Sequence, residues 1–136
     1  MANTIRNKSM IKLLIEKSGN ELWGSVKVNG NLIYDVANSI ASLKKKLKTA
    51  VLEIENVEIQ DFDVSYDLTT FFEQHSYLNI SDIAKYAEIN QALMRQYAAG
   101  VKYPSEDRVK QIEKAIRQIG KDLTKVKLHK SQNANV

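Results

Sequence analysis

The segment QDFDVSYDL places three aspartates, Asp61, Asp63 and Asp67, at close spacing on one short stretch. Glu53, Glu55 and Glu58 precede them, so six carboxylates fall between Glu53 and Asp67 with no Lys or Arg among them. Acids at this density suit two kinds of chemistry. One is phosphoryl transfer on a pair of divalent metals, which needs carboxylates converging from several elements. Here they sit on one strand and one helix end, and the first strand offers only Glu16 at its end. No catalytic residue and no metal ligand is therefore assigned. The other use is attraction of a basic partner, for which Asp61, Asp63 and Asp67 are the candidates; a plain solvated edge strand is the alternative. His75 and His129 have no Ser or Cys partner at a telling spacing, and the chain has no cysteine. A thiolate zinc site is thus excluded, metal and nucleophile chemistry are thinly supplied, and no cofactor is implied.

A second group of residues has the chemistry to read a base edge. In NQALMRQYAAG, Met94 and Tyr97 repeat at core spacing, which turns Gln91, Ala92, Arg95 and Gln96 outward. Gln can pair with adenine through two hydrogen bonds, and Arg with guanine. Ala92 is small enough to allow close approach or to touch a thymine methyl. Around them, Asn79, Ser81 and Asn90 lie at helix starts, where phosphate is favoured. Lys102 and Tyr103 follow the helix, where backbone contacts are common. An ordinary helical bundle with a polar surface is the competing reading.

The elements that must hold these groups are legible from period. MIKLLIEK sets Ile11, Leu13 and Ile15 on one face, and ELWGSVKV does so with Leu22, Val26 and Val28. Both predict strands, joined by the short turn SGN. VNGN is a second turn, and LIYDV a third strand. Then Ile40, Leu43, Leu47, Val51 and Ile54 recur every three or four residues, as one helix face does. Lys44, Lys45, Lys46 and Lys48 fall mostly on the other, solvated side. In QDFDVSYDL, Phe62, Val64, Tyr66 and Leu68 alternate with the acids, which predicts a fourth strand. The first half is thus an α+β unit of order β-β-β-α-β, one helix covering one side of a mainly antiparallel sheet.

From LTTFFEQHSY onward only helices and turns are expected. Thr70 with Glu73 forms a capping box, Asn79 and Asn90 cap the next two helices, and Gly100 closes the second of these. Pro104 and Ser105 open a last helix with Val109, Ile112, Ile116 and Ile119 as its apolar stripe. The expected domains are 1–68, 69–123 and a frayed basic tail, 124–136.

Charge follows the same division. Residues 1–68 carry nine Lys/Arg and nine Asp/Glu, whereas residues 69–136 carry eleven and seven, so the whole net charge of +4 lies in the second half. A basic helical half favours a polyanion. No apolar run is long enough for a membrane span and no secretory leader is evident, which gives the expectation of a cytoplasmic protein without membrane partners.

Ala84 in the first helix, Ile89 in the turn, Gln91 at the next helix start, Gly100 after it and the exit KYPS together resemble the Cro/repressor-like helix-turn-helix family. The resemblance spans Asn79 to about Ile119, and it departs at Glu88, where the family has Gly. It implies that the helix beginning at Gln91 enters the major groove of operator DNA. MIKLLIEK, LWGSVKV, YDVANSIASLKKKLKTAVLEI and DFDVSYDL, followed directly by such a unit, resemble the HicB family of antitoxins. That family has an incomplete ribonuclease H-like domain; its usual Pro-Gly-Cys loop is replaced here by VNGNLIY. The resemblance implies an antitoxin that binds a small basic HicA-type ribonuclease toxin and represses its own operon as a homodimer or higher even oligomer. The alternative is a free-standing repressor whose first domain serves oligomerisation or ligand sensing.

Overall fold

Two tight hairpins start the fold. In the computed structural model, which describes residues 6–133 with side chains from Met10 onward, strand β1 is Arg6–Ser18, β2 is Glu21–Val28 and β3 is Asn31–Ala37. Ser18 pairs with Glu21 and Val28 with Asn31, so each connection is a two-residue loop. In the second loop Asn29 and Gly30 have φ of 52° and 79°. A turn with both central residues at positive φ matches the right-handed twist of the strands, and Asn-Gly is the pair that tolerates it.

Helix α1, Ile40–Glu55, begins where the Ser39 side chain accepts from Ser42 N, and ends at Asn56 in the left-handed conformation. It leads into β4, Val57–Tyr66, which pairs in parallel with β1. The sheet order is β3-β2-β1-β4, so the two antiparallel pairings and one parallel pairing make a mixed sheet. The described residues also form five helices, and the architecture is α+β with the expected β-β-β-α-β opening.

Leu43, Leu47 and Val51 of α1 are fully buried against Leu13, Ile15, Val26, Val57 and Phe62. Each such side chain contributes about 1.5–3 kcal/mol of burial. Gly24 lies beneath the helix: a Cβ there would come within 2.7 Å of Leu43 Cδ2. Ile54, expected on the buried stripe, is 65% exposed. It stands in the last turn, where the chain is already swinging through Asn56 toward β4. The lysines of α1 are not all free in solvent. Lys46 Nζ donates to Val36 O at 2.8 Å and Lys48 Nζ to Gln60 O at 3.0 Å, tying the helix to strands on either side of it.

Helix α2, Leu68–Gln74, follows β4 directly. Its N-cap is Asp67, whose carboxylate accepts from Thr70 N at 3.1 Å, so the expected Thr70–Glu73 box is displaced by a stronger local acceptor one turn earlier. Phe72 and Thr70 are buried, and Lys17 of β1 pairs with Glu73. The chain accordingly divides into two units between Ser76 and Tyr77, with α2 in the sheet unit rather than in the helical one. The second unit holds α3, Ile80–Ala87, α4, Gln91–Ala98, and α5, Glu106–Thr124. No regular structure follows from Lys125 to Asn133. No helix among the described residues is long and apolar enough to cross a membrane.

Candidate nucleic-acid interface

The second unit is built around the corner between α3 and α4. Asn79 caps α3 through its Oδ1 on Asp82 N at 3.0 Å, and Asn90 caps α4 through its Oδ1 on Leu93 N at 3.1 Å. Between them the chain reverses at Glu88, with φ 57° and ψ 43°. Glu88 N donates to Lys85 O and Ile89 N to Ala84 O, the pair of bonds that closes a helix on a left-handed residue. The same pair closes α4 at Gly100, with Gly100 N on Tyr97 O and Val101 N on Gln96 O.

Small residues bring the helices together. Ala84 is fully buried, and Ile83, Ala87, Ile89, Met94, Tyr97, Ile112 and Ala115 complete the core. Gln111 of α5 donates from Nε2 to Ala87 O at 2.6 Å, which fixes the α3 terminus from the third helix. Val109, expected on the α5 stripe, is 42% exposed; Ala115 takes its place in the core. Val109 stands in the first turn, ahead of the part of α5 that packs into this core.

With Met94 and Tyr97 inward, α4 turns Ala92 and Arg95 to solvent, while Gln91 and Gln96 are half-buried. Arg95 Nη2 donates to Ser81 Oγ at 2.7 Å, so an expected base-reading group and an expected phosphate contact are neighbours. Asn79 and Asn90 use their side-chain oxygens as caps and retain their amide N–H groups as donors. Lys102 and Tyr103 follow the Gly100 turn, both exposed. The arrangement offers donors from two helix starts and from one helix surface to an acceptor-rich ligand.

The acids of the sheet unit are placed differently from one another. Asp61 and Asp63 are exposed on β4, with Asp61 Oδ1 accepting from Phe62 N at 2.8 Å. Asp67 is half-buried and engaged in capping α2. Glu55 accepts from Asn31 Nδ2 at 2.7 Å and Asn29 Nδ2 at 3.1 Å, and these bonds, that from Asn31 first, hold its carboxyl below the ordinary Glu range. Among the described residues no three His, Cys, Asp or Glu side chains come together as a metal site.

One surface feature lay unread in the sequence. The sheet face turned away from α1 exposes Met10, Leu14, Trp23, Leu32 and Tyr34, and the rings of Trp23 and Tyr34 stack at 6.2 Å and 18°. Asp63 faces the same way, in register with Lys12 on the neighbouring strand. The signal was present: these apolar residues occupy the off-face positions of alternating strands. Comparison with protein-family models, curated proteins and solved structures finds no match to this chain.

Proposed function

We propose that the chain is a DNA-binding transcription regulator of helix-turn-helix type, with α4 entering the major groove. Gln91, Ala92, Arg95 and Gln96 then meet base edges, and Asn79, Ser81, Asn90, Lys102 and Tyr103 meet phosphates. The observation that carries this reading is the α3–α4 corner: a fully buried Ala84, a closed left-handed turn and an outward Arg95 braced on Ser81. The confinement of excess positive charge to residues 69–136 supports it. Band-shift titration on the DNA upstream of the chain's own gene, at two salt concentrations, tests it. Lys102→Ala weakens binding to all sequences alike and flattens the salt slope; no retained complex at low salt refutes the assignment.

The sheet unit is read as a docking module, and the whole chain as the antitoxin of a type II pair that neutralises a HicA-type ribonuclease and represses its own operon. The β-β-β-α-β order, the exposed Asp61 and Asp63 and the open aromatic face bordering them favour a basic protein partner. Asp67, spent on its helix cap, contributes less to that surface than the other two. The open face equally suits a free-standing repressor whose first unit oligomerises or senses a ligand. Co-expression of the full chain with the protein encoded beside it separates the two. The antitoxin reading expects the neighbour to arrest growth and this chain to restore it, and Asp61→Lys/Asp63→Lys to restore it poorly. A harmless neighbour rules that reading out.

A further inference from the structure

Both edges of the sheet carry side chains that close off backbone groups. On β3, Val36 N donates to Asp35 Oδ1 at 2.7 Å, and Val36 O accepts from Lys46 Nζ at 2.8 Å. On β4, Phe62 N donates to Asp61 Oδ1 at 2.8 Å, and Gln60 O accepts from Lys48 Nζ at 3.0 Å. Capping of this kind hinders the addition of a further strand. β3 is left open between its hairpin turn and Val36. Backbone groups alternate between the two sides of a strand, so the N–H and C=O of Leu32 and Tyr34 point away from β2, as those of Val36 do. No described residue bonds to them. Their side chains are apolar and aromatic, 64% and 62% exposed, and an uncharged edge of this kind is a template for strand pairing.

We propose that a second copy of this chain adds at this stretch, β3 against β3, antiparallel about a two-fold axis at Ile33. The limits of the open stretch select the partner and the register. The turn at Gly30 bounds it on one side and the capped Val36 on the other, each three residues from Ile33. With the axis there, Leu32 of each copy faces Tyr34 of the other and exchanges two hydrogen bonds with it. Val36 of each copy falls opposite the turn of the other, where it needs no backbone partner. The aliphatic and aromatic side chains then pair across the strands, beside the stack of Tyr34 on Trp23. Asp35 falls opposite Asn31, whose Nδ2 binds Glu55. Each end of the contact thus holds Asp35 and Lys46 of one copy and Glu55 of the other. Both carboxylates are already engaged, Asp35 with Val36 N and Glu55 with Asn31 and Asn29, and Lys46 supplies the opposite charge. Lys27, paired with Leu32 on β2, stays one strand away from the contact. β4 forms the other edge of the sheet, so this pairing leaves Asp61 and Asp63 exposed.

The inference rests on the sheet unit alone and stands whether or not the chain binds DNA or a toxin. The chain has no cysteine, so introduced thiols report the register. Full-length Leu32→Cys and Tyr34→Cys chains, mixed and mildly oxidised, form a disulfide with each other, since facing Cα atoms at such a position lie about 5.5 Å apart. Either chain alone stays unlinked, because like positions are offset by two residues and their Cα atoms lie more than about 7 Å apart. Light scattering of the wild type gives at least twice the 15.4 kDa of one chain at micromolar concentration. Leu32→Lys, at an exposed site, leaves the circular dichroism spectrum unchanged and raises the dissociation constant of this contact by about tenfold or more. A monomeric wild type, an assembly indifferent to Leu32→Lys, or mixed cysteine chains that link no faster than either alone overturns the proposal.

Discussion

Glu88→Gly is expected to stabilise the protein. Glu88 holds φ 57° in the turn that aims α4, and an L-residue in that conformation costs roughly 1–2 kcal/mol. Glycine removes the steric cost but loses more backbone freedom on folding, roughly 0.5–1 kcal/mol. The carboxylate of Glu88 is exposed and engaged by no described residue, so little else is lost. The net gain is about 0.5–1 kcal/mol, which in a unit of this size raises the melting temperature by about 2–8 °C. Gly100 closes α4 with the same hydrogen bonds and already has the residue the geometry favours. Melting followed by far-ultraviolet circular dichroism is the assay, with two controls. Glu88→Ala retains the strain and stays within about 0.5 kcal/mol of wild type. Glu88→Val, whose branched Cβ tolerates positive φ least, falls below it. A glycine variant no more stable than the alanine variant would refute the left-handed turn, and with it the aim of α4.

Gly24→Ala drives a methyl against Leu43 and Leu13 under α1, and overpacking of this kind costs about 1–3 kcal/mol in denaturant titration; an unchanged midpoint would mean that α1 does not sit so close. Glu55 has its folded pKa depressed, so its bonds to Asn31 and Asn29 stabilise above the ordinary value of 4.5 and are lost as the pH falls through the folded value. Carboxyl NMR titration of Asn31→Ala should therefore move Glu55 upward, and no movement would detach it from the hairpin. Thr70 is fully buried and its Oγ1 finds no partner among the described residues, so Thr70→Val should be neutral or stabilising by about 1 kcal/mol in the same melting assay; a loss would reveal a hydroxyl contact.

The order of strands and helix in the first unit was legible because β1, β2 and β3 each bury one parity and α1 one stripe. The caps Asn79 and Asn90 were legible for the same local reason: a short side-chain acceptor stands just before an apolar period. Period fails at element ends, where it carries no information about where the chain turns away. Ile54 and Val109 fit their stripes and are exposed, one in a last turn and one in a first. Alanine is inconspicuous in such a count, so Ala115 went unnoticed. β4 begins at Val57 rather than at Gln60, and its inward parity slips between Ile59 and Phe62, where Gln60 and Asp61 both face out. Alternation read from the acids alone sees only the second stretch. The α2 boundary was hidden because no glycine or proline separates it from β4, and its allegiance is decided by Phe72 and Lys17, a tertiary matter. Of the site, the outward face of α4 could be read from Met94 and Tyr97, but the bond of Arg95 to Ser81 joins residues from two helices and has no sequence signal.

The most direct measurement is fluorescence anisotropy on the duplex upstream of the chain's own gene and on a scrambled duplex, comparing wild type with Gln91→Ala/Arg95→Ala. Arg95 is exposed and Gln91 half-buried at the first residue of α4, and neither belongs to the core, so the double variant should stay within about 0.5 kcal/mol of wild type in melting. Wild type is expected to prefer the native duplex, and the double variant to lose about 1–3 kcal/mol of that preference for each lost contact while keeping its weak affinity for the scrambled one. Equal preference in the two proteins would contradict the placement of α4 in the major groove.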